Sequence, residues 1–141
     1  MMKNIGGVIT FENYVVEKVL FERNDSFSKE KEVKVEFDIK PDIQLSEDKK
    51  SMQVRVEINI FEDMRKNNFP FHMEVIVSGF FNVSSDDNTI KTDKFYPNAI
   101  AILYPYIRSI ITTYTAMANV NPMILPTINV NKFIESNKKE M

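Results

Sequence analysis

"YPYIRSIITTYTAMANVNPMILPTINV", Tyr104–Val130, holds one charged residue, Arg108. Widening the window to Phe95–Asn131 adds no other. The chain is 27% charged, so a window of this length would ordinarily carry about ten charges. Lipid or protein must therefore face this segment. A spanning helix needs about 20 mostly apolar residues. The best window, Ala99–Ala118, includes Pro105, Arg108, Ser109, Thr112, Thr113 and Thr115. A central arginine alone costs about 2.5–3.5 kcal/mol on insertion. The segment reads as a helix buried against protein, without membrane insertion.

The helix is expected to start at Pro105, whose missing N–H costs nothing in a first turn. From there Ile107, Ile110, Ile111, Tyr114, Met117 and Ala118 follow helical spacing. The opposite side, Ser109, Thr112, Thr113 and Ala116, is small and uncharged. A helix lying on a sheet normally shows charges outward. These residues, with Tyr106, are expected to meet another subunit. The alternative is a central helix wrapped on both sides by its own chain. "ANVNPMILP" ends the helix with Asn and Pro, and "NVNKFIESNKKE" predicts a short second helix capped by Asn129 or Asn131.

Upstream, four segments read as strands. "NYVVEKVLFE" (Asn13–Glu22) is β-branched and aromatic with imperfect alternation. "EVKVEFDIK" (Glu32–Lys40) places Val33, Val35, Phe37 and Ile39 on one face. "SMQVRVEINIF" (Ser51–Phe61) does the same with Met52, Val54, Val56, Ile58 and Ile60. "FPFHMEVIVSGFFNV" (Phe69–Val83) is apolar on both faces near its end, with Ser78-Gly79 as a candidate bulge. Period 2 over such lengths marks half-buried strands. The links "RNDSFSKEK", "PDIQLSEDKK", "EDMRKNN" and "SSDDNT" are charged or turn-forming. Links so short favour antiparallel neighbours. The fold class is α+β: a four-stranded antiparallel sheet, a long helix and a short C-terminal helix, in one domain over 1–141.

The composition narrows function. The chain has 141 residues, 43% hydrophobic content and a net charge of −2, which is globular and gives no reason to expect a nucleic acid partner. It has no cysteine, so no disulfide or thiolate site. The start "MMKNIGGVITFENYVVEK" lacks a secretory pattern, and a cytoplasmic location is the simplest expectation. His72 is the single histidine, and Gly6, Gly7 and Gly79 are all the glycines. No metal cluster, phosphate loop or nucleophile elbow is present in the sequence. The pairs Glu62/Asp63 and Asp86/Asp87 read as solvated loops. No cofactor is expected and the chain does not read as an enzyme. Eleven Phe, five Tyr and the run Met123, Ile124, Leu125 favour an apolar binding surface.

The C-terminal third resembles SecB, the cytosolic export chaperone family of bacteria. "YPNAIAILYPYIR" is similar to that family's Pro-Asn…Leu-Phe-Pro-Tyr-x-Arg helix start, and "MILPTINVNKF" to its Leu-x-Pro-Val-Asn-Phe loop and second helix. The matched residues are Pro97, Asn98, Leu103, Pro105, Tyr106, Arg108, Leu125, Pro126, Asn129 and Phe133. "VLFE" and "MEVIVSGFF" fit the family's first and fourth strands. The resemblance implies a homotetramer, a dimer of dimers with long helices between sheets. It implies ATP-independent holding of unfolded polypeptides in apolar grooves. Client contacts would fall on Met123, Ile124, Leu125 and Phe133, with Phe69, Phe71 and Phe81 as further walls. Docking of the SecA motor would use Glu22 and Glu74, although Lys18 and His72 depart from the family pattern there. The client could instead be an antitoxin, as for relatives beside toxin–antitoxin pairs. A reading from another class is an oligomeric adaptor that binds one folded partner through its sheet.

Overall fold

The computed structural model describes residues 8–28, 33–84 and 92–128. Four strands, β1 (Val8–Arg23), β2 (Phe37–Leu45), β3 (Ser51–Ile60) and β4 (Phe71–Ser84), precede one helix, α1 (Thr92–Met117). The sheet is wholly antiparallel, in the order β1-β4-β3-β2. α1 crosses one face and touches all four strands. The core lies between them, and the expected inward set Met52, Val54, Val56, Ile58 and Ile60 is at most 2% exposed. The expected second helix and Phe133 lie outside the described residues.

The imperfect alternation of β1 has a structural cause. Its pairing with β4 slips by one residue between Phe11 and Asn13 and again between Val16 and Lys18. Glu12 and Glu17 are the extra residues, each a β-bulge. The bulges divide "ITFEN", "YVVEK" and "VLFER" into three units, each with two helix-side residues followed by a glutamate. Ile9, Phe11, Tyr14, Val16, Val19 and Phe21 thereby all stand beside helix-side residues of β4. Each bulge is tied down: Asn82 donates to Glu12, and Ser78 donates to Glu17 at 2.6 Å. The expected bulge at Ser78-Gly79 is not there, since β4 pairs in unbroken register with β3 through that point.

Strand two differs from expectation. It starts at Phe37 rather than Glu32 and runs on through Pro41 to Leu45, where a loop was expected. β2 is one of the two edge strands of the sheet, so a residue without an N–H is tolerated there. Alternation continues past the proline, with Ile43 and Leu45 half-buried and Asp42 and Gln44 exposed. The link between β3 and β4 is held by Asn24, which is 4% exposed. Its side-chain amide donates to the carbonyls of Phe69 at 2.9 Å and Met64 at 3.3 Å.

α1 also starts earlier than expected, at Thr92, with Pro97 and Pro105 inside it. An interior proline costs about 3 kcal/mol. Pro105 and Ala101, whose carbonyl it leaves free, are both exposed, so water can satisfy that oxygen. Ala99, Ile100 and Leu103 are all within 1% of full burial on the sheet side, and their burial offsets the loss. Met117, expected inward, is 74% exposed at the helix end.

Gly79 sets how close the helix comes. A Cβ there would lie 2.5–3.0 Å from Cδ2, Cδ1 and Cγ of Leu103, which is fully buried. We expect Gly79→Ala to destabilise the protein by about 1–3 kcal/mol in urea denaturation. An unchanged midpoint would show that Leu103 has room to move.

Candidate functional site

Four polar side chains run along one line of α1: Tyr104, Arg108, Thr112 and Thr115, separated by four, four and three residues. The helix ends at Met117, and Asn119, with a φ of 63°, turns the chain back. The Val120 amide closes the turn on the Thr115 carbonyl. The chain then returns along that polar line as an irregular strap over Val120–Ile128. The Thr115 hydroxyl accepts from the Met123 amide at 2.9 Å, and the Thr112 hydroxyl donates to the Met123 carbonyl at 2.7 Å. Arg108 Nε donates to the Leu125 carbonyl at 3.0 Å, and the Tyr104 hydroxyl donates to the Pro126 carbonyl. Burial pushes the Tyr104 phenol above its ordinary pKa, opposed by the Arg108 charge, which keeps the hydroxyl a donor.

Arg108, the lone charge of the opening segment, therefore serves a backbone carbonyl. Among the described residues it forms no ion pair. Its guanidinium carbon lies 6.0 Å from the Tyr104 ring centre. The strap alternates along its length. Met123 and Leu125 are 8% and 0% exposed, whereas Ile124 between them is 68% exposed. The helix thus holds the strap by its main chain and two apolar anchors, and displays Ile124.

The strap covers one side of α1. Another stays bare: Ala101, Pro105, Ser109, Thr113 and Ala116 are exposed and uncharged. Of the residues expected at a subunit interface, Tyr106, Ser109, Thr113 and Ala116 lie on exposed parts of the helix, but Thr112 is half-buried beneath the strap. Tyr106 leans on β1, 4.6 Å from the Tyr14 ring centre and 5.7 Å from that of Phe11. One step along, Tyr114 meets Phe21 at 5.5 Å. Between these contacts Val16 and Val19 remain 45% and 37% exposed.

Among the described residues, the expected client-binding side chains do not line one groove. Phe69 and Phe71 pack with Phe61 at 4.6 and 5.2 Å. Phe81 packs on Phe11, ten residues further along β4, or about 33 Å. All three phenylalanines, with Met123 and Leu125, belong to the protomer core. Among the described residues of the expected set, Ile124 alone is exposed.

On the outer sheet face both acidic residues expected for docking already hold a cation. Lys18 contacts Glu74 at 3.1 Å and Arg65 contacts Glu22 at 3.0 Å. Lys18 holds the Glu74 carboxyl below the usual range, helped by a hydrogen bond from Glu57, whose own carboxyl is pushed up by the pairing. His72 lies beside them on β4, its Nε2 buried without a partner among the described residues.

Comparisons with known proteins agree with this architecture. The family model described as preprotein translocase subunit SecB matches residues 9–141. An uncharacterized protein of Methanocaldococcus jannaschii is 33% identical over 125 residues, covering 86% of this chain and 79% of its own. Among solved structures, the SecB-like chaperone of Mycobacterium tuberculosis, in complex with a ChAD peptide from the HigA1 antitoxin, superposes with a TM-score of 0.69 at 11% identity, covering 85% of this chain and 90% of that one. A protein of unknown function from Streptococcus agalactiae gives 0.52 at 16% identity, covering 87% and 100%. With its sheet order, its long helix and a family match over nearly its whole length, the chain belongs to the SecB family of preprotein translocase subunits.

Proposed function

We propose that the protein is a chaperone that holds non-native polypeptides without nucleotide and acts as an assembly of several copies. Membership of the SecB family supports the chaperone role. The observation that carries the holding reading is Ile124, a large apolar side chain 68% exposed on a strap whose backbone is fixed. A fully buried side chain of this size contributes about 1.5–3 kcal/mol. One such contact is weak, so several copies acting on one long chain supply the affinity. Phe133, outside the described residues, is proposed as a second client contact on the sequence resemblance alone. Met123 and Leu125 anchor this surface from within, and Phe69, Phe71 and Phe81 belong to the core rather than to the proposed contact.

Assembly rests on the bare stripe of α1 and the exposed Val16 and Val19 of β1. A second copy would cover both, giving the dimer-of-dimers arrangement that the sequence resemblance implies. The mycobacterial neighbour binds an antitoxin peptide, which favours a specific antitoxin segment as the second reading of the client. Protein export remains the first reading. SecA docking on the outer sheet face carries less weight in this proposal, because Glu22 and Glu74 are each neutralised from within.

The test is dilution of a chemically unfolded protein into buffer without nucleotide, followed by light scattering. The wild type is expected to suppress aggregation of several unrelated clients near stoichiometric ratio. Ile124→Asp should weaken holding about tenfold, the order expected for one lost apolar contact. Failure of the wild type with every client would leave the adaptor reading. Suppression by Ile124→Asp equal to wild type would move the contact surface elsewhere.

The outer face has its own test. A depressed carboxylate such as Glu74 adds stability that is lost as pH falls through its folded pKa, and a raised one such as Glu57 adds stability lost as pH rises through its folded pKa. Lys18→Met removes the larger cause of the Glu74 shift. Carboxyl NMR titration should then show Glu74 moving up toward the ordinary range. An unmoved Glu74 would assign the shift to Glu57 instead.

A further inference from the structure

The clamp has more donors than burial of the strap requires. Met123 and Leu125 already anchor the strap by their side chains, at 8% and 0% exposure. Even so, three helix side chains each donate to a strap carbonyl: Thr112 to Met123, Arg108 to Leu125 and Tyr104 to Pro126. These carbonyls flank Ile124 on both sides. An extended chain turns successive side chains to opposite sides, so fixing its neighbours fixes the direction in which Ile124 points. The cost of ordering Ile124 is thus met before any client arrives, which raises affinity without adding a contact.

We propose that Tyr104, Arg108 and Thr112 are positioning residues for client binding, acting through the strap backbone on Ile124. This rests on the holding function proposed above. It also accounts for the single charge in the segment. The planar guanidinium, on a long side chain, reaches the carbonyl of the buried Leu125 from the helix. The grip is on main-chain oxygens, so it orients the strap whatever side chain occupies position 124.

A double-mutant cycle tests the proposal. Tyr104→Phe and Thr112→Val each remove one donor and keep the ring or branched shape. The readouts are affinity for an unfolded client and hydrogen exchange at the Met123 amide. That amide donates to Thr115, which neither variant alters. The paired variant should lose client affinity at least about fivefold while exchange at Met123 accelerates and the assembled mass stays unchanged. Adding Ile124→Asp should then cost less than it does in the wild type, because a loose strap no longer presents that residue. Arg108→Lys, which keeps a donor and the charge, should hold clients better than Arg108→Met. Faster exchange with full client affinity overturns the proposal, as does an additive cycle. Unchanged exchange in the paired variant overturns it too, since the donors would then not be holding the strap. A wild type that holds no client at all sinks the functional reading first, and that outcome is visible before any variant is made.

Discussion

Leu103 occupies the space that a side chain on residue 79 would need. That close approach puts α1 directly on the sheet, and the rest of the architecture depends on it. With Ala99, Ile100, Leu103, Ile107 and Ile111 committed to the sheet, the remaining sides of a helix with almost no charge must be covered some other way. The strap covers one of them, through Tyr104, Arg108, Thr112 and Thr115. The side carrying Ala101, Pro105, Ser109, Thr113 and Ala116 is left bare in a single protomer. Wrapping by the chain itself, one of the two explanations offered by the sequence, thus holds for the strap side, and the bare side is the one that the proposed second copy would cover.

β1 shows how an edge strand follows a helix over a long distance. A regular strand of 16 residues would present every second residue to α1 in a straight line. Two bulges bend and twist it, and glutamates at the bulges hold the bends through Asn82 and Ser78 on β4. The result keeps Tyr14 against Tyr106 and Phe21 against Tyr114, two contacts separated by two turns of the helix. Val16 and Val19 between them are less covered.

Much of this was legible in the sequence where one period dominates. Clean alternation located β3 to within one residue at its end, and the loss of charge located the C-terminal half of α1, from Pro105 onward. Legibility failed where a local signal was overridden by its tertiary setting. Pro41 reads as a strand breaker, but on a free edge it is harmless. Pro105 reads as a helix start, but an exposed carbonyl behind it makes an interior position tolerable. The irregular spacing of β1 shows in the sequence as broken alternation, because the bulges at Glu12 and Glu17 that restore its register follow from pairing with β4 and not from period 2. The site was less legible than the fold. The run Met123, Ile124, Leu125 reads as uniformly apolar, whereas the structure separates two anchors from one displayed residue. The pointer to that separation lay in α1: polar residues at 104, 108, 112 and 115 on an otherwise apolar helix form one line, which a returning backbone can use.

The account stands most directly on the bare side of α1, and the direct measurement is the mass in dilute solution by light scattering coupled to size exclusion. It predicts a stable species at a multiple of the 16.5 kDa chain, four copies if the dimer-of-dimers arrangement holds. A species of one chain, stable on dilution and with α1 accessible to solvent along Ser109 and Thr113, would contradict it.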